Sequence, residues 1–173
     1  MKLSRTLFLA FIISIAVQPA YAFNDDADVV RAASNINQAE TSALASLTAE
    51  EIKTALTSWV AAMETGSSTA VLPLYVDSAI LLPTLSSEIL TTPEARKTYF
   101  DKLTAHKNLK IELQQAIARA YGDTAIASGL YTFSYTQSGK TVRIPARFSF
   151  VYKKGEDGRL LIIEHHSSKL PKQ

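Results

Sequence analysis

Hydrophobic residues change their spacing along this chain, from a helical period to strict alternation. Before residue 64 they form one apolar stripe at helical spacing, made of Ile52, Leu56, Trp59, Val60 and Met63. That stripe predicts an amphipathic helix. Thr48 and Glu51 have the spacing of a capping box at its start, and Gly66 ends it.

The next stretch is a series of short elements. Residues 69–75 predict a turn of helix interrupted at Pro73, and residues 77–83 predict a short strand, with Asp77 in a capping role. Residues 84–91 form a loop that contains a short extended piece. Thr92 then begins a second helix, because proline follows it at a tolerated position and Glu94 suits the helix dipole. This helix reaches about His106 and buries Tyr99, Phe100 and Leu103.

From residue 109 onward the chain alternates apolar and polar residues. The alternation predicts four consecutive antiparallel strands, at residues 109–121, 124–136, 141–154 and 159–168. The alanine-rich end of the first, residues 116–120, could equally be helical. The last two are joined by a turn at Asp157 and Gly158. Helices followed by a run of strands indicate an α+β fold. We expect a conical half-barrel, in which a curved antiparallel sheet wraps around the N-terminal helices, with the Trp59 helix filling the cone.

The N-terminus has the three parts of a signal peptide. Lys2 and Arg5 precede an apolar run at residues 7–17, which is too short for a membrane span, and Ala20-Tyr21-Ala22 fits a cleavage site. We predict cleavage after Ala22 and export to the periplasm, with secretion as the second choice. The division is then a signal peptide at 1–22, a mobile leader at 23–47 and one domain at 48–171.

Cleavage changes the charge balance that the full chain suggests. The 173 residues carry a net charge of +2, but removing Lys2 and Arg5 leaves 16 basic residues against 16 acidic ones. We therefore predict no nucleic-acid partner, and no membrane partner after cleavage. The chain has no cysteine, which excludes disulfides and thiolate chemistry. No cofactor is predicted. No metal site is predicted either, because adjacent histidines at 165 and 166 point to opposite faces of a strand.

The C-terminal hairpin brings together the polar and charged side chains that best suit ligand binding or catalysis. Arg147 lies on its first strand, while Glu164, His166 and Ser168 share one face of the second. A guanidinium, a carboxylate and an imidazole in one region suit a small polar or anionic ligand. Further candidates for an apolar wall with polar tips are Trp59, Tyr75 and Tyr99.

The hairpin sequence also carries a family resemblance. The run ARFSFVYKK, the turn DGRL and the ending LLIIEHHSS resemble the ketosteroid-isomerase-like superfamily, also called SnoaL-like or nuclear-transport-factor-two-like. Within it, the residues most resemble the association domain of calcium/calmodulin-dependent kinase II and its small, often exported bacterial relatives of the SgcJ/EcaC type. The resemblance spans residues 48–171 and includes the run LYVDSAILLPT near residue 80. The isomerase pattern of an inward aspartate base with an oxyanion-hole pair is not found.

The resemblance implies a pocket under the sheet, with an arginine on the penultimate strand and a histidine on the last. Those positions match Arg147 and His166. It also implies association through the outer face of the sheet, as a homodimer or higher oligomer. Amphipathicity alone turns the face of Phe148 and Phe150 inward and sends Arg147 to solvent. The resemblance implies the opposite orientation, which we prefer. In that orientation Arg147 lies in the cavity with Glu164 as its partner, and the aromatic face lies between subunits.

Three functions fit these residues. The first is an exported, self-associating protein that binds a small polar or anionic molecule and lacks clear catalytic residues. The second is an isomerase, cyclase or lyase that uses His166 as its general base. The third is an oligomerisation domain alone. We prefer the first function.

Overall fold

The computed structural model describes residues 47–171. The predicted signal peptide at 1–22 and the predicted leader, except for its last residue, lie outside the described residues. That last residue, Leu47, is buried against the domain. No helix within the described range is long and apolar enough to cross a membrane.

The first helix, α1, spans Ala49–Glu64 and has the predicted cap. The backbone NH of Glu51 donates to the Thr48 hydroxyl, at 3.1 Å, and the backbone NH of Thr48 donates to the Glu51 carboxylate, at 2.7 Å. Together these two bonds satisfy donors that the helix start leaves free. The predicted stripe forms the buried side of α1, except that Val60 is only half-buried.

Short elements connect α1 to the sheet. They are helix α2 at Ser68–Val71, a 3₁₀ turn at Leu72–Leu74, strand β1 at Tyr75–Leu82 and helix α3 at Pro93–Thr104. The loop before α3 contains the predicted extended piece, because Leu90 forms an isolated bridge with Leu81. Thr92 caps α3 as predicted, with its hydroxyl accepting from the NH of Ala95. The helix ends two residues before His106.

Four long strands follow in the predicted order. They are β2 at Lys107–Tyr121, β3 at Thr124–Gln137, β4 at Lys140–Lys154 and β5 at Leu160–Lys169. The sheet order is β1-β5-β4-β3-β2, with antiparallel neighbours except that β1 runs parallel to β5. The sheet is open and curved, and the predicted α+β class is confirmed.

Helix α1 packs its tryptophan onto the aromatic side of the sheet. The Trp59 ring meets Phe150 at a centroid distance of 5.0 Å and Tyr131 at 6.1 Å, both edge to face. Phe148 and Tyr152 lie on the same inner face and are at most 3% exposed. This aromatic cluster is the centre of the core and identifies the inner face of the sheet.

A buried arginine on α3 was missed by the sequence reading. Arg96 is only 2% exposed, and its guanidinium donates to the carbonyl oxygens of Val76, Asp77 and Ala79 at 2.5–3.0 Å. These three carbonyl groups, all on β1, compensate the buried charge. The contact joins α3 to β1, next to a register shift in the pairing of β1 with β5.

A bulge in β2 makes a glycine necessary on β3. Leu113 pairs with Tyr131 and Gln115 with Leu130, so Gln114 is an extra residue. The backbone of Gln115 therefore lies very close to Gly129. A Cβ atom at residue 129 would lie 1.9 Å from the Gln115 carbonyl oxygen and 2.9 Å from the Phe148 ring.

We predict that Gly129→Ala lowers the free energy of unfolding by about 2 kcal/mol or more, because backbone on one side and a core ring on the other resist displacement. Urea denaturation followed by circular dichroism measures the change. Ser128→Ala, one residue earlier on the outer face, is the control and should cost much less. Wild-type stability in Gly129→Ala would show that the bulge relaxes freely.

Candidate functional site

A bulge in β5 decides which C-terminal side chains face the core. Tyr152 of β4 pairs with Ile162, but the preceding residue, Val151, pairs with Glu164, so Ile163 is extra. A bulge of one residue reverses the alternation of faces beyond it. As a result, Ile162 and His165 both point inward, although strict alternation would separate them.

The inward-facing histidine is therefore His165, which is 3% exposed. Its ring stacks on Phe150, with centroids 3.9 Å apart and planes 20° apart, and meets Trp59 edge-on at 5.3 Å. Its Nδ1 atom lies 2.9 Å from the Tyr75 hydroxyl. These contacts place an imidazole in the centre of the aromatic core.

The Tyr75 hydroxyl links Trp59 to this histidine. Trp59 Nε1 can only donate, and it donates to the Tyr75 hydroxyl oxygen at 3.0 Å. The same hydroxyl shares a second hydrogen bond with His165 Nδ1, and Nε2 has no partner among the described residues. Burial, with a smaller effect of the His166 charge, lowers the pKa of His165 to about 3. The imidazole is neutral at pH 7 and closed to solvent, and its role is structural.

A second buried network lies one step further along β5. The Tyr131 hydroxyl donates to Ser167 Oγ at 2.5 Å, and Ser167 also bonds the hydroxyl of Thr84 in the loop after β1. Ser167 is 5% exposed and Tyr131 is fully buried. Burial raises the pKa of Tyr131, so its hydroxyl remains a donor. This chain of hydroxyl groups ties the loop at residue 84 to the sheet.

The predicted ligand-binding set on the hairpin lies on the other side of the sheet. Arg147, Glu164 and His166 are exposed, and Ser168 is half-buried. The expectation that Arg147 lines the interior cavity is wrong, because the aromatic residues that alternate with it pack against α1. The amphipathic pattern of β4, which places Arg147 in solvent, therefore predicts the observed orientation. For the same reason Phe148 belongs to the core and not to a subunit interface.

The outer-face residues follow the strand register. Arg147 stands opposite Ser168, and its Nε donates to the Ser168 hydroxyl at 3.0 Å. Glu164 stands opposite Val151, four residues from Arg147 along β4. Among the ion pairs of residues 47–171 none joins Glu164 to Arg147. Arg147 is therefore bonded to Ser168 and not to its predicted partner, Glu164.

The predicted wall residues are packed in the core. Trp59 and Tyr75 are 1% and 6% exposed and contact each other through the hydrogen bond described above. Tyr99 is half-buried beside Phe100, and burial raises its pKa to about 12. Trp59 and Tyr75 fill the cone, as their burial shows.

A cavity of about 440 Å³ lies where β5 ends. Its lining includes His166, Ser167 and Ser168 on β5, with Thr84 and Glu88 from the loop opposite. Two of the predicted ligand residues, His166 and Ser168, thus meet at one cavity wall. Ser167, Thr84 and Glu88 were missed. The bulge in β5 turns Ser167 inward, and only the fold brings the loop that holds Thr84 and Glu88 against β5. No group of three histidine or acidic side chains converges within residues 47–171.

Comparison with known proteins identifies the family. The model of the calcium/calmodulin-dependent protein kinase II association domain matches residues 48–171. The chain belongs to this family, within the nuclear-transport-factor-two-like and ketosteroid-isomerase-like fold that the sequence resembles. A search of curated proteins finds no match.

Three solved structures illustrate the relationship. A protein from Xanthomonas campestris, named for the same association domain, is 29% identical, with a TM-score of 0.62 over 94% of this chain and all of its own. A ketosteroid-isomerase-like protein from Erwinia carotovora shares 14% identity and a TM-score of 0.58, over 70% of this chain and 95% of its own. A nuclear-transport-factor-two-like protein from Novosphingobium aromaticivorans, described as cystatin-like, has 14% identity and a TM-score of 0.62, over 88% and 94%. The last two show the fold alone.

We predict that His165 makes the domain less stable in mild acid. The unfolded imidazole has a pKa near 6.5 and the folded one near 3. Between these values the unfolded chain binds a proton that the folded chain does not, so the free energy of unfolding falls as the pH falls. Urea titrations at pH 6.5 and 4.5 measure the change, and comparison of variants separates the effect of His165 from that of the carboxylates, which all variants share.

His165→Gln should be less stable than wild type at pH 7, since the stacked ring is lost, but its stability should change less between pH 6.5 and 4.5. His166→Gln, on the exposed side of the same strand, is the control and should keep the wild-type dependence. Equal slopes for His165→Gln and wild type would contradict the assignment.

Proposed function

We propose that the chain is an exported protein that self-associates through the outer face of its sheet and binds a small polar or anionic molecule beside that face. The fold and the family fit a role in ligand binding or in oligomerisation. The observation that carries the association is an apolar strip on the solvent side of the sheet. We call it the outer strip, and it consists of Ile80, Ile117, Ile126, Leu130 and Val151.

The strand register places Ile126 opposite Val151, while Glu164 lies between Val151 and Ile80. The apolar residues of the outer strip are therefore neighbours at its centre and are separated by a carboxylate toward β1. Ile117 is 53% exposed and Ile80 is 39% exposed. A sheet face that met only water would carry polar residues at these positions. Covering them with the same face of a second copy removes this apolar area from water.

Small side chains make the centre of this face flat. Ser128 and Ser149 stand opposite each other, with their hydroxyls 3.0 Å apart, in the row that joins Ile117 to His166. A flat centre lets two sheets approach closely. Arg147 lies one row away from the centre. The name of the family, an association domain, agrees with this use of the face.

We predict that Ser149→Arg converts the oligomer into a monomer, because a long cation would be buried unpaired at the centre of the interface. Size-exclusion chromatography with light scattering measures the mass. Thr141→Arg adds the same charge to the same face of β4 but beyond the outer strip, and should stay oligomeric. An oligomeric Ser149→Arg protein, or a monomeric wild type, would contradict this interface.

The cavity at the end of β5 is the proposed ligand site. Its wall is rich in hydroxyl groups, and His166 and Lys169 add an imidazole and a cation. Arg147 lies beside this cavity, because it is bonded to Ser168, one of the residues that line it. These groups suit a small molecule with several acceptor oxygens, such as a carboxylate. Within the described residues His166 has no hydrogen bond to a carboxylate that would orient it as a general base, which favours binding over the enzyme alternative.

Native mass spectrometry of protein recovered from the periplasm tests export and ligand binding in one experiment. We expect a chain that begins at Phe23 and carries a small molecule, because export removes residues 1–22 and the cavity retains its occupant. His166→Ala and Arg147→Ala should lose that molecule, whereas Lys53→Ala, at an exposed position of α1, should retain it. A chain that keeps Met1 would contradict export, and retention by His166→Ala would contradict the site.

A further inference from the structure

The cavity at the end of β5 is lined by charges of both signs. Glu88 lies in the loop that forms one wall, and Lys169 lies on β5, which forms the other. Both side chains are exposed. Within residues 47–171 neither takes part in an ion pair, although each has an opposite charge across the same cavity. The carboxylate and the ammonium group therefore remain available to a molecule that lies between them.

The loop that carries Glu88 is fixed by the protein itself. The backbone NH of Ser86 donates to the Pro83 carbonyl oxygen at 3.4 Å, and the backbone NH of Glu88 donates to the Ser86 hydroxyl at 3.1 Å. The Thr84 hydroxyl is bonded to Ser167 of β5. These bonds fold the loop as a turn against the sheet, so the Glu88 backbone has a defined position opposite the end of β5.

The hydroxyl groups next to these charges can both donate and accept. Tyr131 donates its proton to Ser167, and Ser167 shares one proton with Thr84. Of the three hydroxyl protons, one is therefore left for a molecule in the cavity, because Ser167 and Thr84 both line it. The lone pairs that remain on these two residues can accept. A group that carries both a carbonyl oxygen and an NH, as an amide does, matches this surface.

The two charges restrict the kind of molecule that fits. A simple anion would meet the Glu88 carboxylate, and a simple cation would meet Lys169, so each would leave a like charge nearby. A zwitterion with its charges at opposite ends pairs with both walls at once. The volume of about 440 Å³ lies in the range of sites that hold small molecules.

We propose that the molecule bound at the end of β5 is a short zwitterionic peptide. Its ammonium group pairs with Glu88 and its carboxylate with Lys169. Its amide group lies against the hydroxyls of Thr84 and Ser167. The carboxylate end adjoins His166, to which the proposed function already assigns acceptor oxygens. The inference rests on the proposed ligand site and adds the class of ligand, since the proposed function requires only a polar or anionic molecule.

The probe is L-alanyl-L-alanine, with its N-acetyl derivative and its C-terminal amide as matched molecules that each lack one charge. All of them are titrated into the full mature chain and followed by protein NMR. We expect saturable binding of the dipeptide, with shifts centred on the loop that carries Glu88 and on the end of β5. Each derivative should bind about tenfold more weakly, because it loses one charge-assisted hydrogen bond.

Two variants assign each charge to its wall. Glu88→Gln should weaken the dipeptide and its amide about tenfold, while the affinity for the N-acetyl derivative does not fall. Lys169→Gln should weaken the dipeptide and the N-acetyl derivative, while the affinity for the amide does not fall. Glu156→Gln, between β4 and β5, and Lys140→Gln, at the start of β4, are the controls and should change none of the affinities. All of these positions are exposed, so the variants should unfold at the wild-type urea concentration.

The outcomes separate this inference from the site on which it rests. Losses confined to the probes that carry the matching charge support the peptide. Equal affinity for the dipeptide and its N-acetyl derivative, or dipeptide binding that neither Glu88→Gln nor Lys169→Gln weakens, overturns it. The lack of saturable binding of every probe also overturns it, but a native molecule that is lost from His166→Ala would still support the ligand site. Only the absence of both would contradict the site as well.

Discussion

The packing of Trp59 against the inner side of the sheet is the contact on which the rest of the structure depends. This one ring meets Phe150, Tyr131 and His165, and its NH is bonded to Tyr75. Burying a side chain of this size contributes several kcal/mol, and removing one from a core costs about 3–5 kcal/mol. It also requires that the aromatic face of β4 turn toward α1. Every outward position on β4 follows from that requirement, including the exposure of Arg147.

The bulge at Ile163 is the second constraint, because it sets the faces of β5 independently of β4. Ile162 fills the core beside Tyr152, and the bulge then lets His165 and Ser167 enter the core as well. If β5 alternated strictly from Ile162 onward, Glu164 and His166 would face the aromatic cluster, where an unpaired carboxylate is strongly unfavourable. The bulge therefore separates the buried hydrogen-bond networks from the ionisable groups that remain available to partners and ligands.

This arrangement separates three regions of one small domain. The outer strip lies on the solvent side of the sheet, and a cavity beside Tyr152 lies on the helix side. The cavity at the end of β5 is lined by hydroxyl groups together with His166 and Lys169. The fold is known to serve many functions.

Much of the fold could be predicted from local patterns. The capping box at Thr48, the proline start of α3 and the alternation of the long strands depend on neighbours in sequence, and the structure has each of them. The terminal motif of the hairpin was sufficient to identify the family. The pairing of Arg96 with carbonyls of β1 left no local signal, because its acceptors are backbone atoms distant in sequence.

The sequence by itself determined the order and type of the elements, the α+β class and the family, because periodicity, caps and turns act over a few residues. Only the tertiary structure decided which side of the sheet each residue occupies. Amphipathicity indicated the inner face of β4 correctly, and the preference for Arg147 inside failed because the resemblance was followed instead. Alternation could not show the bulge in β5, which reverses the faces beyond it, so His165 and not His166 is the buried imidazole. The site depends on contacts between β5 and a loop some 80 residues earlier, which no local pattern encodes.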